Sequence, residues 1–245
     1  MKSNKGKIYI VGAGPGDPEL ISVKGFKVLK RADCILYDFL SAPELLDHAK
    51  PACEKICVGK KDSLHLKEQE ETNKLLMDKV LVHEVVVRLK GGDPFVFSRG
   101  SEEARHLREM GIEVEVIPGI TSAFAGPLSF GIPLTVKGMI QSVAVITGRK
   151  KDINAEIEAP ECGTLVYLMA VANISNVVKA LMKSGRSKDT PCAFIERATR
   201  RNERIIAATI GTIEEKAKRE SIKPPAVFIV GEVVNYNEGR TKHEH

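Results

Sequence analysis

The sequence of 245 residues contains no tryptophan, and aromatic residues make up only 5% of it. Proteins that hold single-stranded nucleic acid stack bases on aromatic side chains and follow the backbone with clustered lysine and arginine. The sequence also lacks an arm rich in lysine or arginine, so a nucleic-acid-binding module and an RNA methylase are both disfavoured. The formal net charge of +5 still suits an anionic partner, and a small polyanionic substrate would satisfy it equally well.

Long apolar runs are absent as well. No run approaches the roughly 18 residues that a membrane helix requires, and the N-terminal residues lack the apolar core of a signal peptide. We therefore expect a cytoplasmic protein with no membrane partner. The composition, 43% hydrophobic and 28% charged, allows one large or two medium α/β domains with a buried core.

The five cysteines are odd in number and scattered along the sequence, which argues against a disulfide framework. Cys53 and Cys57 stand closest together, but no second pair with metal-ligand spacing accompanies them, so we expect no metal site. Most of the cysteines are expected to be small core residues in a reducing compartment.

The most informative stretch begins with the β-branched run Val85–Val87, which predicts a buried strand. The turn Gly91–Pro94 follows, where two glycines remove Cβ atoms and a proline restricts the aspartate before it. From Ser98 the spacing becomes helical, with Ser98 or Ser101 as the N-cap. A strand, a glycine turn and a helix in this order would place a ligand at the carboxyl end of an α/β sheet. An ordinary βα loop is the alternative.

The whole string Arg88–Glu103 resembles the tetrapyrrole methyltransferases, which carry a Gly-Gly-Asp-Pro turn, a Phe-Gly-Arg-Gly-type segment and a pair of acids. Ser98 stands where that family usually has glycine. The resemblance covers nearly the whole sequence and is strongest to the branch that methylates uroporphyrinogen III. It implies a two-domain α/β fold, with an N-terminal parallel-sheet domain, a C-terminal mixed-sheet domain and an active-site cleft between them.

The resemblance also implies an activity. S-adenosyl-L-methionine would donate two methyl groups to pyrrole carbons of uroporphyrinogen III, leaving S-adenosyl-L-homocysteine and giving precorrin-2 for sirohaem or cobalamin biosynthesis. An electron-rich pyrrole carbon attacks the methyl group directly, so catalysis would depend on positioning and on help with later proton loss. A homodimer is implied too. A methyltransferase acting later in the corrinoid pathway is the nearest alternative.

Several segments match positions that contact the cofactor in the family. The loop Gly12–Pro18 looks superficially like a dinucleotide fingerprint, but its third glycine is misplaced, which disfavours an NAD-dependent oxidoreductase. Thr121 or Ser122 could simply cap a helix, and Met169 could be core packing. The cofactor-binding residues that the resemblance implies are Pro15, Gly91, Gly92, Asp93, Thr121, Ser122, Met169, Ala198 and Ala226.

Basic residues match the substrate-binding positions of the family, and the eight carboxylates of the substrate would suit them. They are Lys60, Lys61, His65 and Lys137, although the first three could also form a solvated loop. The predicted catalytic residues are Arg99, Asp38 and Glu102. Arg99 would orient the substrate or assist proton transfer, and Glu102 lies on the same helical face and could hold it. Asp38, at the end of a strand, could face the substrate or cap the next turn.

Five predicted strands alternate with helices up to Ile117, which predicts a single parallel sheet in an N-terminal domain of residues 1–118. The stretch from Gly126 to Gln141 is interpreted as a hinge or connection. In residues 119–245, consecutive strands around Cys192–Ile210 have no helix between them, which predicts an antiparallel hairpin and a mixed sheet. This C-terminal domain would end in a polar tail from Asn235.

Overall fold

The computed structural model describes residues 6–58, 65–150 and 156–236, with the side chains of 65–68 left aside. Its contacts divide the chain into two compact units, Met1–Thr121 and Ser122–His245. The backbone N–H of Gly119, directly after Pro118, donates to Asp93 of the first unit at 3.1 Å.

The first unit contains a parallel sheet of five described strands in the order β3-β2-β4-β1-β5, which confirms the predicted fold class of this half. The short strands are rich in β-branched residues and are separated by helical segments, as parallel sheets require. The strands are β1 (Lys7–Gly12), β2 (Cys34–Tyr37), β3 (Glu54–Cys57), β4 (Val85–Lys90) and β5 (Glu113–Ile117). The helices are α1 (Val23–Arg31), α2 (His65–Val80) and α3 (Gly100–Glu109), with short 3-10 helices at Pro18–Leu20 and Pro43–His48.

Both faces of this sheet are covered, and β4 shows the consequence most clearly. Val87 and Leu89 belong to the core on one face, whereas Val86 packs on the other face with Leu76 of α2 and Leu107 of α3. Successive strand side chains point to opposite faces. The two basic residues that alternate with Val87 and Leu89 in β4 therefore point, like Val86, toward α2 and α3.

The second unit contains a mixed sheet in the order β6-β7-β10-β8-β9, in which β6 and β7 are parallel and the other neighbours antiparallel. The predicted hairpin is confirmed, since β8 and β9 pair from Pro191↔Thr209 to Glu196↔Arg204. The strands are β6 (Val143–Thr147), β7 (Thr164–Leu168), β8 (Pro191–Glu196), β9 (Arg204–Thr209) and β10 (Ala226–Val230). The helices are α4 (Ser122–Ser129), α5 (Ile174–Lys183) and α6 (Ile213–Arg219), with 3-10 turns at Val171–Asn173 and Glu232–Asn235.

Two local predictions are wrong. Helix α3 has Arg99 as its N-cap residue, because the Ser98 hydroxyl donates instead to the carbonyls of Asp93 and Pro94. Helix α4 occupies the start of the predicted hinge after Gly126, which is buried against β10.

The structure bears on the expectations about membrane helices and about the cysteines. No helix in the described part of the chain combines the length and the apolar composition needed to cross a membrane. The five cysteines are free thiols, and Cys34, Cys53 and Cys192 are buried.

The core of the second unit is centred on an aromatic group. The ring of Phe228 lies 4.7 Å from that of Phe194 and 6.2 Å from that of Tyr167, centroid to centroid, and all three side chains are fully buried. We expect Phe228→Ala to lower the free energy of unfolding by about 3–5 kcal/mol, because a large apolar side chain leaves a cavity.

Denaturant unfolding followed by circular dichroism measures this loss. Met182→Ala, in the same unit but 45% exposed, is the control and should stay within about 0.5 kcal/mol of the parent. Equal losses in the two variants would contradict the placement of Phe228 at the centre of this core.

Candidate active site

The backbones that leave β1, β4 and β5 meet at the carboxyl end of the first sheet. Gly14 and Gly92 exchange two backbone hydrogen bonds of 3.3 and 2.7 Å, and the N–H of Ala13 donates to the carbonyl of Lys90 at 2.7 Å. A Cβ on Gly12 would lie 2.5 Å from the Cα of Gly119, closer than real Cβ atoms come. Glycine is therefore required here for close packing of one loop on another. This is the edge at which ligands of open α/β sheets bind.

Gly92 differs from its neighbours because a side chain on it would meet no protein atom. Its φ is +70°, and nothing lies within 4 Å of the Cβ position. On Gly91, by contrast, a Cβ would lie 2.9 Å from the Cβ of Leu40. Gly92 thus leaves the space beside its backbone open, and a ligand such as a cofactor could approach the main chain closely there.

Asp93 joins two of the loops. One carboxylate oxygen accepts the N–H of Phe95 at 2.8 Å and the other accepts the N–H of Gly119 at 3.1 Å. The side chain predicted as a cofactor ligand thus also shapes the site, because it ties the turn after β4 to the loop after β5. Pro15 lies nearby on the loop after β1 and is partly buried.

Asp38 follows β2 directly and lies at the same end of the sheet, where its backbone N–H donates to the carbonyl of Leu89 at 3.2 Å. Its carboxylate contacts two basic side chains of β4: Arg88 Nη2 lies 2.5 Å from Oδ1 and Lys90 Nζ lies 3.9 Å from Oδ2. Glu103 of α3 faces both cations, at 3.4 Å from Arg88 Nε and 3.1 Å from Lys90 Nζ. These four residues are called the Asp38 network below.

The Asp38 network was not predicted. The sequence predicts a buried strand at Val85–Val87 and a glycine turn from Gly91, whereas β4 continues through Lys90. The available signal was two basic residues in alternate positions directly after a buried β-branched run. Charges at such positions need an acidic partner inside the protein, and Glu103 provides it.

Burial and neighbouring charges act against each other in this network. Burial disfavours the charged form of Glu103, but Arg88 and Lys90 outweigh it and lower the pKa of the carboxyl group. Burial also opposes the charge on Arg88, yet Asp38 and Glu103 raise the pKa of the guanidinium. For Lys90, burial and the adjacent guanidinium prevail and lower the pKa of the amine.

Arg99 and Glu102 form the pair that their spacing suggested. Arg99 Nε and Nη2 donate to Glu102 Oε2 at 3.1 and 2.8 Å, on the partly exposed first turn of α3. Arg99 has a φ of +62° and Phe97 a φ of +52°. Non-glycine residues in this region cost about 1–3 kcal/mol each and concentrate at functional sites, which supports a functional role for this segment.

Three of the residues predicted in the second unit meet at one end of its sheet. Met169 directly follows β7, Ala226 begins β10 beside it, and the N–H of Arg197, just before Ala198, donates to the carbonyl of Pro225 at 2.9 Å. Ala198 is buried, but Met169 is 44% exposed with a φ of +59°. Met169 is therefore not core packing, the alternative that its composition suggested.

The remaining predicted residues are placed more loosely. Ser122 is the first residue of α4, with Thr121 directly before it, and Lys137 is exposed in the turn between Val136 and Ile140. Lys60 and Lys61 lie outside the described residues. The same holds for the side chain of His65, the residue at which α2 begins.

One group of potential metal ligands lies at the opposite, amino end of the first sheet. Ligand atoms of Cys34, Glu54 and His83 lie within 4.8 Å of one another. The ammonium of Lys79, however, lies 2.6 and 2.8 Å from the two Glu54 oxygens, and burial raises the pKa of the Cys34 thiol to about 12. The Glu54 carboxylate is thus already paired with the Lys79 ammonium, and the Cys34 thiol beside it is neutral. The absence of a metal site stays a prediction.

A parallel sheet whose carboxyl end carries closely packed glycine loops, a basic and acidic cluster and strained residues is an α/β ligand-binding site, here followed by a mixed-sheet unit. Residues 7–214 match the model of the tetrapyrrole (corrin/porphyrin) methylases. The chain belongs to this family.

Individual proteins similar to this chain have names that belong to the same family. The chain is 49% identical over 235 residues to uroporphyrinogen-III C-methyltransferase of Methanocaldococcus jannaschii, with 94% of this chain and 97% of the relative covered. Uroporphyrin-III C-methyltransferase of Thermus thermophilus, solved with S-adenosyl homocysteine, superimposes with a TM-score of 0.79 at 40% identity, covering 94% and 99%. A cobalt precorrin-4 methyltransferase superimposes with a TM-score of 0.77 at 30% identity, covering 93% and 95%.

Two glycines allow the placement of a ligand at Gly92 to be tested. Gly92 and Gly111 have φ values of +70° and +74°, and nothing lies within 4 Å of either Cβ position. Gly92→Ala and Gly111→Ala should therefore lose similar stability, about 1–2 kcal/mol from the left-handed backbone. Calorimetry should show that only Gly92→Ala loses affinity for S-adenosyl-homocysteine, because Gly111 lies at the far end of α3. Equal affinities in the two variants would place the ligand elsewhere.

Proposed function

We propose that this protein transfers two methyl groups from S-adenosyl-L-methionine to pyrrole carbons of uroporphyrinogen III, giving precorrin-2. The observation that carries the proposal is 49% identity over nearly the full length of both chains to a relative with that name. The relative solved with S-adenosyl homocysteine supports the choice of methyl donor. A cytoplasmic location, a homodimer and a place in sirohaem or cobalamin biosynthesis belong to the same proposal.

The residues of the first unit fit the binding of this methyl donor. When bound, the donor supplies an electrophilic sulfonium methyl group. The turn Gly91–Asp93 would receive it, since the backbone at Gly92 is open and Asp93 fixes the turn to Gly119. Pro15 and Thr121 would line the same region. In the second unit, Ser122, Met169, Ala198 and Ala226 are the proposed cofactor contacts.

Catalysis would depend on orientation, because the pyrrole carbon is itself the nucleophile. Arg99, held by two hydrogen bonds to Glu102, presents a fixed cation to a carboxylate of the substrate. A guanidinium stays protonated, so it orients and stabilises charge and does not accept the proton. Asp38 is the proposed anionic group facing the substrate. Lys60, Lys61, His65 and Lys137 would bind further carboxylates.

A second candidate function, methylation of a later corrinoid intermediate, is supported by one observation. The cobalt precorrin-4 methyltransferase has nearly the same fold as this chain, with a TM-score of 0.77. Its lower identity of 30% favours uroporphyrinogen III as the substrate here.

An anaerobic assay with uroporphyrinogen III and S-adenosyl-methionine tests the substrate. Mass spectrometry should show a product heavier by two methyl groups, formed with release of S-adenosyl-homocysteine. Parallel reactions contain precorrin-2 and cobalt-precorrin-4 instead. Methylation of either one with uroporphyrinogen III left untouched would support the second candidate and overturn the first.

The role of Arg99 is tested by comparing two arginines of the same chain segment. Arg99→Met should lower kcat by about 10²-fold, because misplaced reactants lose that much, while S-adenosyl-homocysteine still binds in calorimetry. Arg105→Met is the matched control, since Arg105 of α3 also pairs with a glutamate, Glu109, but lies on the exposed face. It should keep the parent kcat. A parallel loss of cofactor affinity in Arg99→Met would assign Arg99 to the cofactor.

A further inference from the structure

The Asp38 network places two cations and two carboxylates in the first unit, and three of its members are almost inaccessible to solvent. Arg88 is 4% exposed, Lys90 2% and Glu103 0%. Two adjacent β4 cations on one face of the sheet repel each other, so the arrangement depends on the carboxylates around them. Glu103 Oε1 contacts both and also accepts a hydrogen bond from Gln69 Nε2 at 2.9 Å.

A buried network of this kind is a poor way to stabilise a fold. Removing charges from water is costly, and well-packed apolar residues of similar volume are often as stabilising. The network is also incompletely satisfied, since Glu103 Oε2 has no hydrogen-bond partner within the described part of the chain. Its physical effect is better sought in the group that it holds in place.

Asp38 is that group, because it is the one charged member whose side chain reaches the surface, with 26% of it exposed. Each of its oxygens faces a different cation, Arg88 at 2.5 Å and Lys90 at 3.9 Å. The backbone of Asp38 is held as well, by its hydrogen bond to Leu89. Rotation of the carboxylate about its side chain would separate at least one oxygen from its cation.

The position of this exposed carboxylate connects it to the candidate site. Asp38 directly follows β2, which pairs with β4, and Lys90 directly precedes the turn Gly91–Asp93. The carbonyl of Lys90 accepts the N–H of Ala13, so the backbone of the same residue belongs to the glycine junction. The side chain of Lys90 therefore faces the predicted catalytic carboxylate, while its backbone belongs to the junction beside the proposed cofactor turn.

We propose that Arg88, Lys90 and Glu103 are positioning residues that hold the Asp38 carboxylate in one orientation toward the substrate. The inference rests on the proposed methyltransferase function. Arg88 donates a hydrogen bond to one oxygen of Asp38, and Lys90 attracts the other oxygen electrostatically from 3.9 Å. Glu103 balances the charge of the two cations. None of the three needs to touch the substrate, since they are buried and act through Asp38.

A double-mutant cycle tests this role. The variants are Asp38→Asn, Lys90→Met and the double variant, each assayed for methylation of uroporphyrinogen III and for S-adenosyl-homocysteine affinity. We expect kcat to fall about 10²-fold in Asp38→Asn and about tenfold in Lys90→Met, with KM for the methyl donor changed less than about twofold. The double variant should be no slower than Asp38→Asn, because groups that act as a unit are not additive.

Lys79→Met is the matched control. Lys79 also donates two hydrogen bonds to a carboxylate, that of Glu54, but at the amino end of the same sheet. It should lose stability without losing kcat per folded molecule. If Lys90→Met does not fold, Glu103→Gln replaces it in the cycle, since the amide keeps the shape of the side chain and removes its charge.

Each outcome has one meaning. An inactive parent enzyme would overturn the proposed function together with this inference. An active parent in which the Lys90 and Asp38 losses multiply in the double variant would overturn the inference alone. A Lys90→Met enzyme with parental kcat would do the same.

Discussion

The close approach of three backbones at the carboxyl end of the first sheet is the constraint on which the candidate site depends. Gly12 and Gly119 lie so near each other that a methyl group on either would collide with the neighbouring loop. Gly12 and Gly119 therefore meet through main-chain atoms alone. Backbone hydrogen bonds and the Asp93 carboxylate hold the junction together. What remains open beside Gly92 is then a property of fixed backbone, which does not adjust by changing side-chain rotamers.

The sheet of the first unit was predictable because its signal is local. Runs such as Val85–Val87 have the composition of strands buried on both faces, and each is followed by a turn or a helix pattern. The end of β4 was not predictable in the same way. No local pattern marks Arg88 and Lys90 as buried, because the partner that allows them inside is Glu103 on another element.

The candidate site likewise combines residues that a local sequence pattern marks with partners that no local pattern shows. The Gly91–Asp93 turn was found because glycine and proline mark it in the sequence, but the partner of Asp93 is 26 positions away at Gly119 and no local pattern shows it. Met169 has a left-handed backbone without being glycine, so composition favoured a core residue at that position. Only the resemblance to the family placed it among the site residues. The role of each site residue stays a proposal.

The strand order of the first unit has a consequence for folding during translation. β1 is synthesised first, yet both of its neighbours come late: its registers run to Val85–Lys90 of β4 and to Glu113–Ile117 of β5. An apolar strand with two unpaired edges must therefore wait while most of the unit is translated. Strand pairings between segments so distant in sequence form slowly, and until they form the unpaired strand edges are prone to aggregation. The sheet is complete only when β5 emerges, so the part of the glycine junction that contains Gly119 can form only after the rest of the unit has been made.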